Sequence, residues 1–399
     1  MSMKIYSERI YVPEGEIRGT ITVEDRKIIA VEKDIKDNDA VDYGSLRIIP
    51  GIFDTHNHGT CGFDPANGAK AESSIAKEQI RGYLKGLASQ GVTSIFPTVM
   101  ECDALKNVAE VAEEKEVAGA EILGIHSEGP WLNRVGEKGV RTGWPEISVE
   151  KAKEMVEAAK GWLKLVAIAP EIPGAYDVID YFLFQGVTVA AAHSDNNYQQ
   201  AMDGYSHGIS VATHLGNVMT DIHHRDVGGI GAGLLNDSVM CEMICDGMHN
   251  CNEMLQIYLK VKDHDMLEMI SDCTPLSGAP VGEYKAFGMD VHITDAGFVL
   301  TDTGRLLGSS QPVIYGIKNL VTNLNVPLEE CLKMACVNPS RKYGFLDRKG
   351  TIETGKDGDC VVIDGDFNGV HTYSRVVSVY DRSKDGKIFN EEYIDSIRK

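Results

Sequence analysis

The chain has 399 residues, 43% of them hydrophobic and 25% charged, which is the composition of an ordinary soluble globular protein. Its net charge of −20 argues against nonspecific nucleic-acid binding, which depends on basic patches. No apolar stretch of membrane-helix length and no signal peptide are evident, and nine scattered cysteines predict reduced thiols in a cytoplasmic protein that contacts no membrane.

Both ends of the chain predict β-structure. The first 50 residues show short strand patterns and no helical period, and the stretch from about residue 350 is rich in turns with strand patterns between them. Two β-rich ends that flank a different middle predict one small β-sandwich domain built from both termini, with residues 1–50 as its first part and 346–399 as its second.

The middle, residues 51–345, alternates strand and helix patterns. Strands are predicted at 48–54, 92–99, 122–128, 164–169, 187–193, 209–214, 239–245 and 267–272. Amphipathic helices are predicted at 75–90, 148–160, 252–261 and 312–321. Eight strands alternating with helices predict an α/β fold of the (β/α)₈ TIM-barrel type. The competing fold is a doubly wound open sheet, which gives no reason for functional residues to converge from many strand ends.

Residue types that bind metals end five of these apolar runs. His56 and His58 follow the first run, and their spacing of two places both side chains on one side of an extended chain. Four later runs finish on Glu128, His193, His214 and Asp272. Because catalytic residues of such barrels lie at the carboxyl ends of strands, we expect these side chains to converge.

This residue set predicts metal-assisted hydrolysis. His56, His58, Glu128, His193 and His214 supply enough ligands for one or two divalent metals, with Glu128 as the bridge. Asp272 is then available to carry a proton, and it can also touch a metal. Zinc, iron, manganese, cobalt and nickel all suit these ligands, so the residues leave the metal open, and they leave the substrate open as well.

Several motifs resemble the N-acetylglucosamine-6-phosphate deacetylases of the amidohydrolase superfamily, in order and spacing over about residues 45–365. The motifs are Pro50-Gly-Ile-Phe-Asp-Thr-His-Asn-His58, His126-Ser-Glu-Gly-Pro-Trp131, Thr213-His-Leu-Gly-Asn-Val-Met219, Cys245-Asp-Gly-Met-His249 and Gly304-Arg-Leu-Leu-Gly-Ser309. The resemblance implies a metal-bearing barrel with a small β-domain that converts the acetylated amino sugar phosphate to glucosamine 6-phosphate and acetate.

The resemblance also implies roles for individual residues. Asp272 matches the general base and acid, and Glu128, His193 and His214 match ligands common to the family, whereas His56 and His58 match a pair found in two-metal members. Arg225 matches a phosphate-binding arginine that reaches into the neighbouring subunit, which implies a homodimer or larger. The implied substrate contacts are Val140, Arg141, Asn217, Val218, Asp246, Gly247, Met248, His249, Leu307, Gly308 and Ser309.

Two departures from the family pattern affect the substrate more than the reaction. Arg141 stands where the family usually has a histidine, and arginine cannot shuttle a proton, although it can stabilise an oxyanion or bind a carboxylate. Gly216-Asn217-Val218 stands where a bulkier residue and an alanine are common in the family. A different N-acylated amino sugar or a cyclic amide is therefore an alternative substrate, and a noncatalytic scaffold is a remote alternative.

Overall fold

The computed structural model describes residues 2–66, 72–114, 118–135, 140–286, 288–375 and 377–399. Its strands are β1 (Ser2–Val12), β2 (Gly15–Glu24), β3 (Lys27–Lys33), β4 (Val41–Asp42), β5 (Arg47–Pro50), β6 (Ile52–Asn57), β7 (Val92–Pro97), β8 (Glu121–Ile122), β9 (Ile125–Glu128), β10 (Arg134–Val135), β11 (Val140–Arg141), β12 (Leu163–Ile168), β13 (Thr188–Ala191), β14 (Val211–Ala212), β15 (Met240–Ile244), β16 (Leu267–Ile270), β17 (Gly282–Ala286), β18 (Met289–Ile293), β19 (Val299–Thr301), β20 (Cys360–Ile363), β21 (Gly369–Ser374) and β22 (Val377–Asp381).

Its helices are α1 (Ser73–Ser89), α2 (Cys102–Ala112), α3 (Val149–Ala158), α4 (Ala175–Phe184), α5 (Tyr198–Ser206), α6 (Gly228–Leu235), α7 (Asn252–Val261), α8 (Val313–Asn323), α9 (Leu328–Leu332), α10 (Asn338–Lys342), α11 (Arg382–Asp385) and α12 (Glu391–Ile397). A 3₁₀ turn occupies His264–Met266, and a π-helical turn occupies Lys333–Val337. None of the helices in the described ranges has both the length and the apolar character that crossing a membrane requires.

Eight parallel strands of the middle close into a barrel. One arc has the order β16-β15-β14-β13-β12-β9, and β6, β7 and β8 form the other, with β8 and β9 as two pieces of one strand. Bridges from Thr98 to His126 and from Asn57 to Cys273 join the arcs on both sides. Strands β6, β7, β15 and β16 are buried along their whole lengths, as expected for parallel strands covered on both faces. The predicted (β/α)₈ fold is therefore confirmed.

The two ends of the chain meet in one sheet beside the barrel. Its strand order is β22-β21-β20-β5-β1-β2-β3, with β4 paired to β1. Side chains from both ends fill a shared core, in which Ile5, Ile21 and Ile48 pack with Ile352 and Val362. We propose that the domain boundaries lie near residues 50 and 346, where the chain passes between this sheet and the barrel.

A second small sheet lies outside the sequence expectations. Strands β17, β18 and β19 form an antiparallel meander inserted after the last barrel strand. Tyr284 and Ile293 of this meander pack against Ile394 of the C-terminal helix α12. Residues 306–308, which follow β19, return to the mouth of the barrel and line the same cavity as Glu128 and Asp272.

Candidate active site

The carboxyl ends of five barrel strands carry the predicted ligand residues. His56 lies within β6, and Glu128 is the last residue of β9. His193, His214 and Asp272 each follow their strands, β13, β14 and β16, by two residues. Parallel strands of a barrel end on the same face, and for this reason side chains far apart in sequence meet at one mouth.

These side chains form two groups of metal-ligand type, which we call the paired donor groups. The first contains His56, His58 and Asp272, and the second contains Glu128, His193 and His214. Within each group the ligand atoms lie within 4.8 Å of one another. Each group therefore offers two imidazole nitrogens and one carboxylate oxygen.

Glu128 lies between the two groups. Its Oε1 is 2.8 Å from Nε2 of His214 and 3.0 Å from Nε2 of His193. Its Oε2 is 3.1 Å from Nε2 of His58, which belongs to the other group. The same Nε2 of His58 is 3.3 Å from Oδ1 of Asp272. Glu128 thus has the position that a bridging carboxylate requires.

The electrostatics of the site fit a bound cation. Although burial lowers the pKa of His58, hydrogen bonds to Asp272 and Glu128 raise it to about 9. Although burial raises the pKa of Asp272, the charges of His56 and His58 lower it to about 2. The carboxylates stabilise positive charge on imidazoles that point at them, and a divalent metal would take the place of those protons. The donor atoms suit transition metals.

Backbone strain marks the same positions. His193, His214 and Asp272 have positive φ values of 49°, 30° and 50°, and nearby Val218 has 51°. Such values are uncommon for residues other than glycine and are outliers for a β-branched residue. This strain persists only where the surrounding structure enforces it, and it clusters at functional sites. Here the turns occur immediately past the strand ends, where the ligand side chains converge.

A buried polar network fixes the first donor group. Asp54 accepts hydrogen bonds from the backbone nitrogen of Ser271 at 3.1 Å and from Nδ2 of Asn57 at 3.1 Å. The backbone nitrogen of Asp272 donates to the carbonyl of His56 at 2.9 Å. These contacts tie the end of β6 to the end of β16, and thus hold the two strand ends that carry the first donor group together.

A cavity of about 300 Å³ opens onto both donor groups. Its walls include five residues that the family resemblance implies as substrate contacts, namely Asn217, Val218, His249, Leu307 and Gly308. Thr274 and Leu306 also line it and were not expected. The ring of His249 is held by Asp246, because its Nδ1 lies 2.7 Å from Oδ2 of that residue.

Other implied contacts lie outside this wall. Ser309 is fully buried, and its backbone nitrogen donates to the carbonyl of Asp272 at 3.0 Å. Met248 is 44% exposed, and the neighbouring Gly247 has a φ of +79°, which favours glycine. Arg225 is exposed on the loop before α6, where its Nε contacts His224.

Arg141 is not among the described residues that line the cavity. Its guanidinium pairs with Asp195, and its side chain is 75% exposed. Arg134, on the partner strand of the same hairpin, contacts the same carboxylate at 3.4 Å. The backbone of Val140 pairs with that of Val135 in β10. Lys138 and Gly139 of this motif lie outside the described residues.

Comparison with known proteins agrees with this geometry. The chain matches the Amidohydrolase family over residues 47–388. N-acetylglucosamine-6-phosphate deacetylase of Vibrio furnissii is 32% identical, over 86% of this chain and 85% of its own length. N-acetylgalactosamine-6-phosphate deacetylase of Escherichia coli O157:H7 is 28% identical, over 81% of this chain and 84% of its own length. The crystal structure of N-acetylglucosamine-6-phosphate deacetylase from Pasteurella Multocida matches with a TM-score of 0.82 at 27% identity, covering 94% of this chain and 98% of that one.

A barrel with paired donor groups at its mouth and a sheet built from both termini defines the class of metal-dependent barrel hydrolases. The extent of the sequence match then specifies the group more closely. The chain belongs to the amidohydrolase family and, within it, to the N-acetylglucosamine-6-phosphate deacetylases. The resemblance drawn from the motifs is thereby confirmed.

Proposed function

We propose that this protein is a divalent-metal-dependent hydrolase that removes the acetyl group from N-acetylglucosamine 6-phosphate, giving glucosamine 6-phosphate and acetate. The observation that carries the proposal is the joint placement of the paired donor groups and the Asp272 carboxylate on one cavity. A noncatalytic scaffold would have no need to keep all six of these positions filled and converging.

The chain's own residues supply proton transfer and orientation. A divalent metal in the donor groups would lower the pKa of a water toward about 7 and polarise the amide carbonyl. Asp272, whose carboxylate the neighbouring imidazoles keep ionised, accepts the proton of the attacking water and later delivers it to the leaving nitrogen. His249, held by Asp246, orients the sugar. Val218 and Leu307 give the cavity an apolar wall that excludes other water.

We propose two metals per chain, with Glu128 as the bridge. The two oxygens of this carboxylate face different donor groups, which supports a shared ligand. With Glu128 shared, the second group would give its metal three protein donors, and the first group would give its metal four, counting Asp272. Coordination positions would then remain open for water and substrate, as catalytic sites need. Zinc, iron, manganese, cobalt and nickel all suit the donors, and elemental analysis of the purified protein would identify the one bound.

We propose that the active unit is a homodimer or larger. The substrate phosphate needs a cation, yet no lysine or arginine appears among the described residues that line the cavity. Arg225 lies on an exposed loop whose neighbour Ile222 is 44% exposed, as is Met248. Apolar side chains beside an exposed arginine fit a surface that a second subunit covers. We also propose a cytoplasmic location, which suits nine free cysteines.

The test is a deacetylation assay with N-acetylglucosamine, N-acetylgalactosamine and their 6-phosphates as substrates. Released acetate and free amine would be measured on chelator-treated protein before and after divalent metal is added. We expect metal-dependent turnover with the glucosamine 6-phosphate derivative and far slower turnover without the phosphate. Equal rates with and without the phosphate, or a preference for the galactosamine epimer, would contradict the proposed substrate.

A further inference from the structure

Two glutamates lie inside the barrel beneath the paired donor groups. Glu242 on β15 and Glu268 on β16 are paired in register on adjacent strands, and both are fully buried. Burying a carboxylate is costly unless charge or hydrogen bonds compensate it. The hydrolytic mechanism uses neither residue, so each buried carboxyl group needs an explanation of its own.

The two carboxyl groups have different surroundings. Oε2 of Glu242 lies 3.4 Å from Nδ1 of His56 and 3.3 Å from the backbone nitrogen of His214. Glu242 therefore contacts one residue from each donor group. Glu268 instead accepts a hydrogen bond from Thr55. Burial and the charge of Glu242 raise the pKa of Glu268 to about 8, which keeps this acid neutral at pH 7.

His56 needs such a partner because its two ring nitrogens have different tasks. Its Nε2 faces Oδ1 of Asp272 at 3.5 Å, on the side of the donor group. A neutral imidazole that binds metal through Nε2 must carry its proton on Nδ1, and the acceptor at Nδ1 selects that tautomer. His193 meets the same need with a backbone carbonyl, that of Arg134, at 2.7 Å.

The ring of His56 is also held from the side. His126 packs edge-to-face against it, with ring centres 4.4 Å apart and an interplanar angle of 88°. This contact fixes the tilt of the ring but leaves the tautomer undetermined, because it involves no hydrogen bond to Nδ1. The Glu242 carboxylate supplies the acceptor at Nδ1 of His56. The same contact, with that to the backbone nitrogen of His214, compensates the cost of burying this carboxylate.

We propose that Glu242 is a positioning residue of the metal centre, whose carboxylate holds the proton on Nδ1 of His56 so that Nε2 faces the metal. Through the backbone of His214, the same oxygen links this histidine to the second donor group. The inference rests on the proposed metal centre but is independent of which sugar is hydrolysed.

The matched variants Glu242→Gln and Glu268→Gln test this role. Each replaces one buried carboxyl group by an amide of the same shape on neighbouring strands. Zinc dissociation constants of the metal-free proteins would be measured by competition with a chromophoric chelator, after thermal melting has shown that they are folded. Loss of an outer-sphere partner typically weakens metal affinity about 10–100-fold. We expect that loss at one of the two sites for Glu242→Gln, and a change below about twofold for Glu268→Gln. An unchanged affinity in the first variant, or an equal loss in both, would overturn the proposal.

A second measurement uses the unaltered sequence, so it holds even if Glu242→Gln fails to fold. Nitrogen-15 NMR of the zinc-loaded protein with labelled histidines reports which ring nitrogen carries the proton, and His56→Asn identifies the signal. We expect a protonated Nδ1 on His56, and a proton on Nε2 instead would overturn the proposal.

Neither measurement includes substrate, so failure of the two proposals can be told apart. A protein that shows both results but does not deacetylate the sugar phosphate would refute the proposed function alone. Deacetylation by a Glu242→Gln variant with unchanged zinc affinity would refute the positioning role alone.

Discussion

Asp272 combines two properties that a proton carrier at a metal site needs. It lies within contact distance of both His56 and His58, so its carboxylate remains ionised and can accept a proton. Its backbone adopts a left-handed conformation, with a φ of 50°, immediately after β16. That turn directs the carboxylate into the cavity, where a substrate amide would bind.

Replacement of the Asp272 carboxylate by an amide keeps the shape of the side chain but removes its ability to accept a proton. We expect Asp272→Asn to lower kcat by about 10⁴-fold or more, because one group serves as both base and acid, and each role typically contributes about 10²–10⁴-fold. Acetate release would be measured beside the metal content of the same sample. Activity above a few per cent would refute the assignment of Asp272 as proton carrier. Complete loss of metal would show that Asp272 acts mainly as a metal ligand.

At the level of single residues, the sequence predicted those metal-ligand residues that end an apolar strand pattern. It did not predict residues whose position relative to the cavity has no local sequence signal. His193 and His214 ended apolar runs, so the strand pattern alone located them. Glu242 stood alone in a strand pattern, which does not tell a charge facing the barrel axis from one facing solvent. Thr274 enters the cavity through a turn that has no sequence signature.

The strand ends are the elements that assemble the donor groups, and each group draws on different strands. His58 follows β6, whereas His193 follows β13. A histidine lost from one group should therefore empty that metal position and leave the other filled. His207, which pairs with Asp180 at 2.8 Å on neighbouring helices, is a histidine outside both groups and serves as the control.

We expect the unaltered protein, once its metal has been removed by a chelator and divalent metal added back, to bind two metals per chain. Elemental analysis would measure this metal content. His58→Asn and His193→Asn should each bind one, and His207→Asn should bind two. Since ligand binding to the native state adds about 2.7 kcal/mol at 100 times Kd, each lost metal should also lower the Tm of the loaded protein. Saturation of the unaltered protein at one metal would show that the site is mononuclear.

At the level of whole elements, periodicity was a good guide to the barrel and a poor one to its insertions. The predicted helix at 252–261 coincides with α7, because apolar residues recur there at helical spacing. The meander β17–β19 was missed, since its antiparallel strands are short and its core depends on Ile394, about a hundred residues later. Contacts of that kind leave no local pattern.

On the scale of the whole molecule, a buried ionic cluster joins the barrel to the terminal sheet. Lys349, only 3% exposed, lies 2.6 Å from Glu121, the first residue of β8, and 2.6 Å from Asp359, which precedes β20. Its Nζ is also 3.1 Å from Asp357, which Lys27 approaches from the surface at 2.7 Å. Removal of the central cation would leave Asp359 without its buried cationic partner, whereas Glu121 and Asp357 would keep Arg348 at 2.6 and 2.9 Å.

We expect Lys349→Met to lower the free energy of unfolding by about 3–5 kcal/mol, the usual cost of breaking a buried ion pair from one side. Lys27→Met, which removes a half-exposed cation from the same cluster, should cost about 0–1 kcal/mol. Urea unfolding at pH 7 would measure both losses. Equal losses in the two variants would show that burial of Lys349 adds nothing to its contribution.

The same cluster predicts how stability depends on pH. Although burial raises the pKa of Glu121, attraction to Lys349 holds it below its ordinary value, and the same balance lowers the pKa of Asp357. The folded state therefore binds fewer protons than the unfolded chain. The stabilisation is complete above the ordinary carboxyl pKa values near 4 and is lost as pH falls below them. The unfolding midpoint of the unaltered protein should fall more steeply below about pH 4 than that of Lys349→Met.

The proposed assembly of two chains would determine where the substrate phosphate binds. No lysine or arginine appears among the described residues of the cavity wall, and Arg225 lies on a loop exposed to solvent. A phosphate carries close to two negative charges, and arginine matches its oxygens with two parallel hydrogen bonds. If the arginine acts across an interface, each complete site needs Asp272 from one chain and Arg225 from the other.

That arrangement predicts complementation between two inactive proteins. Arg225→Ala should weaken binding of the phosphorylated sugar strongly and change turnover of the unphosphorylated sugar little. Co-expression of Arg225→Ala and Asp272→Asn chains with different affinity tags yields hybrid dimers, each of which has one site where Asp272 and a partner's Arg225 are both intact. We expect hybrids to recover up to about half of the normal activity per dimer, because the second site lacks both groups. Hybrids that stay inactive would place Arg225 in its own chain's site or outside the site altogether.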